Sequence, residues 1–445
     1  MRWPLVVIPG PHTILLMSAA APAVERSCPT LPTSRAVPRA RRSAVAVALA
    51  VACGAYAAIV GPVNAAAQAA PGPDSSGFVI RLGVDTLAIE RVLTYPDSII
   101  GDLLTRSPRT SRFAYRAYLN TDHNVVWYDM VHYATGLATD PVDARMNADF
   151  QTDSAHVIVQ RGDSSRAMSY AAPRTAVPLL EPGFGLHQLV VARALAARGR
   201  RLPFAWVYVP DIVDTGSIVV GPHDDTVRIM TPTDTIRAVV DAAGHVLEMT
   251  DPGGTFQATA TRVAWPDLDR WAADFMARDT HGKGLGSLSP RDTVRATIGT
   301  AMIMVDYSRP SKRGRRIFGN IIPWNTVWRT GANWATTFVI DKDVMVGPTR
   351  VPAGRYTLFT VPAPTGWTLI VSRKTGEWGT EYDSTADFAR IPIASSKTAS
   401  PVERFTIAVA QPHGSATGVL TLSWDTVMAT VPLRAPRGSG QKSGS

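Results

Sequence analysis

Short runs that alternate apolar and polar residues, each closed by a turn-forming cluster, recur through most of this chain and leave few folds open to it. Arg112-Phe113-Ala114-Tyr115-Arg116-Ala117-Tyr118-Leu119 alternates with period two, residues 120–124 supply a turn, and Val125-Val126-Trp127-Tyr128 returns. A period of two sends successive side chains to opposite faces of a sheet, so this is the signature of a hairpin. Residues 236–240, 241–244 and 246–249 repeat the strand–turn–strand pattern. With 34 Gly and 34 Pro punctuating 445 residues, the chain is predicted to be mainly β.

One segment breaks the pattern. Leu186, Leu189, Val190, Arg193, Ala194 and Ala197 follow the helical period and Gly199 closes them, which predicts a single helix. Antiparallel strands with one helix over residues 75–275 would make a curved half-barrel, loosely similar to periplasmic lipoprotein-carrier folds. Residues 276–289 are polar and Gly-rich without periodicity and read as a linker. From 290 to 433 the chain is again all β. Ala301, Ile303, Val305 and Tyr307 alternate with Met302, Met304, Asp306 and Ser308, and strands are expected at 344–346, 356–361, 367–372, 405–409 and 419–424. Short strands at that spacing predict an antiparallel β-sandwich or jelly-roll domain. Residues 434–445 are rich in Gly, Ser and Lys and are expected to form a disordered tail.

Residues 1–74 read as a leader. Of the formal charge of +9, residues 1–67 hold six Arg against one acid, Glu25, and the remainder carries only +4. That is too mild and too scattered for nucleic-acid binding. Arg39, Arg41 and Arg42 precede an apolar run at 43–63, and Asn64-Ala65-Ala66-Ala67-Gln68-Ala69-Ala70 follows it. Basic, apolar and small-residue regions in that order predict a secretory signal peptide cut after Ala67 or Ala69, hence a periplasmic or extracellular protein. The alternative is a membrane anchor, since the run just reaches spanning length, or lipidation at Cys53. Membrane contact is expected only through an uncleaved or lipidated leader. The two cysteines, Cys28 and Cys53, both lie in it, so the mature chain has no thiol nucleophile, disulfide or cysteine metal site.

The usual catalytic signatures are missing. None of the nine His forms a His-Glu-x-x-His pair or a close metal-ligand spacing, so neither a metal nor another cofactor is implied. His123, His132 and His156 read as surface or structural residues. The unusual region begins at Asp306-Tyr307-Ser308-Arg309-Pro310, continues through Gly314-Arg315-Arg316 and reaches Trp328-Arg329-Thr330-Gly331-Ala332-Asn333-Trp334. Trp faces stack on sugars and Arg forks bind oxygens in pairs. Asp306, Tyr307, Arg309, Arg315, Trp328, Arg329, Asn333, Trp334, Tyr382 and Asp383 are therefore the candidate ligand-binding residues. The competing reading is structural, with Asp306 paired to Arg329 or Arg309 beneath a loop and each guanidinium packed on an aromatic ring.

The same residues carry a resemblance. Tyr307 to Pro310, Gly314-Arg315, Phe318-Gly319, Trp328 to Asn333, Ala353-Gly354-Arg355-Tyr356-Thr357-Leu358-Phe359 and Tyr382-Asp383 stand in the order of the motifs of a bacterial family, domain of unknown function 2911. The segment resembles that family over about 290–433, and the resemblance implies an exported β-domain without an established activity. An acidic residue commonly follows the Asn in that family. This chain has Trp334 there, so no acid–base or metal role carries over to that position. The sequence favours a non-catalytic binding module for a small polar ligand or glycan. One rival is a hydrolase acting on a glycan or other exported substrate, with Asp306 and Asp383 as its carboxylates, which would need to stand about 5–10 Å apart. Another is an envelope scaffold.

Overall fold

The computed structural model describes residues 73–435 apart from 198–200, 209–211, 221–224, 231–234, 252–255 and 412–415. The leader at 1–72, the residue Gly199 expected to close the helix, and 436–445 of the tail fall outside the described residues. All of the described residues belong to one compact unit.

Eight strands form an antiparallel meander: β1 (Asp74–Leu82), β2 (Asp85–Thr94), β3 (Ser98–Thr105), β4 (Ser111–Leu119), β5 (Val125–Tyr133), β6 (Val142–Phe150), β7 (Ser154–Arg161) and β8 (Ser164–Ala171). A short β9 (Val177–Leu179) and helix α1 (His187–Ala196) follow. A second meander runs through β10 (Leu202–Tyr208), β11 (Ile212–Val220), β12 (Thr226–Met230), β13 (Thr235–Val240), β14 (Val246–Thr250) and β15 (Ala258–Val263). Pairing of β15 with β1, in the register Phe78↔Arg262 and Ile80↔Ala260, fuses the two meanders into one 15-stranded sheet. Among the described strands of this sheet, only β9 and β10 pair in parallel.

The sheet curls. Its edge strand β8 comes back against β11. Helix α1 touches β11 and β12, bonds to Ser76 of β1 through Gln188, and reaches the β4–β5 turn through Arg193. A helix reaches strands so far apart in one sheet only from its concave side. Buried residues therefore occur on most of its surface: His187, Gln188, Leu189, Val190, Val191 and Ala194.

A second helix, α2 (Leu268–Thr280), covers the opposite face of the sheet. Its Leu268, Ala272 and Phe275 pack on Ile89 and Leu104, which are paired across β2 and β3. Asp267 caps it by accepting from Arg270 N at 3.1 Å. Two sequence expectations change here. Among the described residues there are two α-helices instead of one helix, and residues 276–289 do not behave as a free linker. Met276 to Thr280 completes α2, the Asp279 carboxylate accepts from both Thr110 N and Thr110 Oγ1 at 2.7 Å, and Ser107 donates to Gly286 O at 3.0 Å. Three apolar side chains at helical spacing outweigh the polar surface of that stretch.

The C-terminal part is a nine-stranded antiparallel sheet: β16 (Arg291–Ile298), β17 (Ala301–Ser308), β18 (Thr336–Ile340), β19 (Val344–Val346), β20 (Thr349–Val351), β21 (Gly354–Pro362), β22 (Trp367–Ser372), β23 (Asp387–Ala410) and β24 (Thr417–Arg434). β23 and β24 are far longer than expected. Their pairing shifts register between Lys397 and Val402 and again before Thr406. Irregularities of this kind bend a strand pair, so one strand serves both halves of the sheet. Tyr307 of β17 then bonds Ile407 of β23 across the core, although neither strand is the other's neighbour in the sheet. One continuous apolar cluster, from Ile298 and Ile303 to Leu422 and Leu433, fills the space between.

Candidate functional site

The residues singled out in the sequence do not gather into one patch. Tyr307 and Trp328 belong to the core, 1% and 6% exposed. The Tyr307 hydroxyl accepts from Ile407 N at 2.9 Å, and Trp328 Nε1 donates to Gly331 O at 3.1 Å. The Trp328 ring packs among Phe318, Trp367, Phe405 and Trp424, so much of the tryptophan content is core aromatic packing. Asp306 pairs with Arg291, at 2.9 and 3.1 Å, instead of Arg309 or Arg329. The reason is register: β16 and β17 set Arg291 opposite Ser308, one strand over and two residues from Asp306. Arg309 binds Asp292 at 2.9 Å, Phe405 O at 3.1 Å and Thr406 Oγ1 at 2.9 Å.

Tyr382 donates to Asp387 at 2.7 Å and accepts from Arg390 at 2.6 Å, while Asp383 caps a short turn through Thr385 N and Oγ1. Arg329, Asn333 and Trp334 do come together, around residues 377–379. Gly379 N donates to Asn333 O at 3.0 Å, and Trp334 meets Trp378 edge-on at 5.6 Å. A Cβ at Gly379 would stand 2.1 Å from Arg329 Cδ, so the arginine stem lies directly against that backbone. Burial pushes the Arg329 pKa down to about 10, which leaves it charged at neutral pH. Arg315 belongs to a different neighbourhood and reaches Phe256 of the first sheet.

The first sheet holds a pocket that sequence reasoning missed. It lies between the segment leading into α1 and strands β9, β10, β12 and β13, and it opens to solvent on one side. Leu179, Pro182, Phe184, Trp206, Ile229, Ile236 and Phe256 give it an apolar lining; Glu181, His187, Tyr208 and Asp251 are its polar members. Small-molecule sites generally pair an apolar wall with a few polar groups.

His187 is the unusual member. It is 3% exposed, its ring centroid stands 4.5 Å from that of Trp206 and 5.0 Å from that of Phe184, and its Nδ1 has no hydrogen-bond partner. Burial drives its pKa down to about 3, so the imidazole is neutral throughout the physiological range. A buried polar atom without a partner is uncommon, because desolvation is then uncompensated. The only signal in the sequence was a histidine opening a mainly apolar helix.

The wall carrying Phe184 and His187 is clasped from below by Glu90 of β2, 1% exposed. Its carboxyl accepts from Phe184 N at 2.7 Å, Gly185 N at 2.9 Å and Tyr115 Oη at 2.7 Å. Burial pushes its pKa up to about 7 against the pull of those three donors. Gly185 is required here: a Cβ would lie 2.1 Å from Tyr115 Oη and 2.8 Å from Glu90 Oε1.

Among the described residues no cluster of three or more His, Cys, Asp or Glu is placed to hold a metal ion, and no helix is long and apolar enough to cross a membrane.

A β-barrel-like protein of domain of unknown function DUF1849 from Brucella abortus is similar over 43% of this chain and 96% of its own, at 12% identity and a TM-score of 0.30. The N-terminal domain of Nup159 is similar over 78% of this chain and 74% of its own, at 9% identity and a TM-score of 0.13. No curated protein matches the chain. The C-terminal segment, residues 289–433, matches the model of the family described as Protein of unknown function (DUF2911), the family that its Tyr307 to Pro310 and Trp328 to Asn333 motifs resemble.

Proposed function

We propose that this is an exported, non-catalytic binding module whose ligand seat is the pocket of the first sheet. The ligand is a small molecule with a largely apolar body and one neutral hydrogen-bonding group. The observation that carries this reading is His187, a neutral imidazole with an orphaned ring nitrogen in the wall of a pocket lined mainly by apolar side chains, with Glu181 and Asp251 as its acidic members. An apolar body gains from burial against Trp206, Phe184 and Ile229, and one hydrogen-bonding group on the ligand, donor or acceptor according to the His187 tautomer, relieves the unsatisfied nitrogen. The Arg/Trp region of the C-terminal sheet offers less to a ligand, because Asp306, Arg309 and Arg315 are engaged within the protein.

The test is a fluorescence titration with N-phenyl-1-naphthylamine, a neutral apolar probe with a single N–H. The purified protein is expected to bind it saturably at one site. Ile236→Trp fills the pocket from a half-buried wall position and is expected to abolish binding while leaving the melting temperature in place. Non-saturable binding, or saturable binding indifferent to Ile236→Trp, defeats the reading.

A further inference from the structure

The loop that follows the Tyr-Ser-Arg-Pro motif leaves the C-terminal sheet and ends against the pocket. We propose that Arg315 is a positioning residue through which the C-terminal domain fixes the Phe256 wall of the pocket and so sets its affinity. The proposal rests on the binding role of that pocket.

The loop is held firmly on its own side. Lys312 N donates to Glu403 O at 2.7 Å, Arg313 N to Glu403 Oε1 at 2.8 Å, and the Lys312 ammonium pairs with Asp425. Within it, the Arg315 guanidinium donates to Ser311 O at 2.9 Å and through Nε to Lys312 O at 3.1 Å. Those two bonds fix the plane of the fork, and its remaining arm, Nη1, donates to Phe256 O at 2.9 Å. Phe256 lines the pocket. A planar guanidinium bound at three corners transmits position; a lysine ammonium on a flexible stem does not reproduce that geometry.

The same loop touches the first sheet at a second point, away from the pocket. Val84 N donates to Arg313 O at 3.0 Å, and Arg313 pairs with Asp85. A Cβ on Gly83 would stand 2.0 Å from Arg313 O, so the two backbones meet with no room for a side chain. The Arg315 stem also passes this point, its Cγ 3.0 Å from that Cβ position, but the Arg313–Asp85 pair and the Arg315–Phe256 bond are different side-chain contacts and can be removed one at a time.

The test compares Arg315→Met and Arg315→Lys with Asp85→Asn in the purified protein. Two readouts are used: the N-phenyl-1-naphthylamine titration, and hydrogen exchange at the Gln257 amide. Arg315→Met is expected to weaken the probe by about tenfold, the worth of one charge-assisted hydrogen bond, and to speed exchange at Gln257. Arg315→Lys restores neither fully. Asp85→Asn loosens the other contact and leaves both readouts within about twofold of wild type. The proposal is overturned if Arg315→Met changes neither readout, or if Asp85→Asn matches it in both. Should the wild type fail to bind the probe, the pocket reading fails and the affinity part of this proposal with it. The exchange arm still decides whether Arg315 holds Phe256.

Discussion

Glu90→Gln separates the charge of the clasp beneath the pocket from its shape. The carboxyl takes three hydrogen bonds, from Phe184 N, Gly185 N and Tyr115 Oη. A glutamine amide oxygen still accepts from both backbone groups, and the Tyr115 hydroxyl turns to accept from the new amide N–H. What the substitution removes is the ability to ionise. Burial raises the Glu90 pKa from an ordinary 4.5 to about 7 in the folded protein. The folded state thus keeps a proton over a window in which the unfolded chain has lost it. A raised pKa contributes stability that is fully present below about pH 4.5 and drains away as pH rises through about 7. At about 1.4 kcal/mol per unit, the wild type loses roughly 3 kcal/mol from this group by about pH 9.

Glu90→Gln does not carry that loss. The stability difference between variant and wild type is therefore expected to move by about 3 kcal/mol toward the variant between about pH 4.5 and pH 9. Urea unfolding followed by tryptophan fluorescence measures it. A difference that stays flat to within about 1 kcal/mol, or that moves toward the wild type, refutes the argument and means that the three donors outweigh desolvation.

Trp328→Ala is expected to cost about 3–5 kcal/mol, because it empties a position ringed by Phe318, Trp367, Phe405 and Trp424, and a thermal melt reads the loss. A silent melt would return Trp328 to the role of an exposed ligand contact. N-terminal mass spectrometry of envelope fractions is expected to find a chain starting near Gln68 or Ala70, while an intact Met1 in the cytosol would remove the export reading.

The strands were legible wherever their cause is local. Val125 to Tyr128, 344–346 and 367–372 were read from alternation and turn residues, and β5, β19 and β22 stand there. Helix α1 was legible for the same reason. Helix α2 was missed although Leu268, Ala272 and Phe275 are spaced for it, because its last turn runs into polar, Gly-rich sequence. The extra length of β23 and β24 was not legible either, since the two strands pair on both sides of Pro401 and the polar residues around it, across register shifts at Lys397/Val402 and Val402/Thr406.

Period-two alternation and turn chemistry, both interactions within about ten residues, determined from sequence alone that this chain builds antiparallel sheet, and the ordered motifs of 290–433 determined its family resemblance. Tertiary structure decided which charged and aromatic groups are engaged and which are orphaned. Arg291 and Asp306 meet through strand register, Glu90 meets Phe184 across 94 residues, and Arg315 meets Phe256 across 59. The pocket exists because β15 pairs with β1 and the curled sheet brings β9, β10, β12 and β13 around α1. Closure of that kind depends on contacts between residues far apart in the chain, and no local pattern encodes which distant partner a side chain will face.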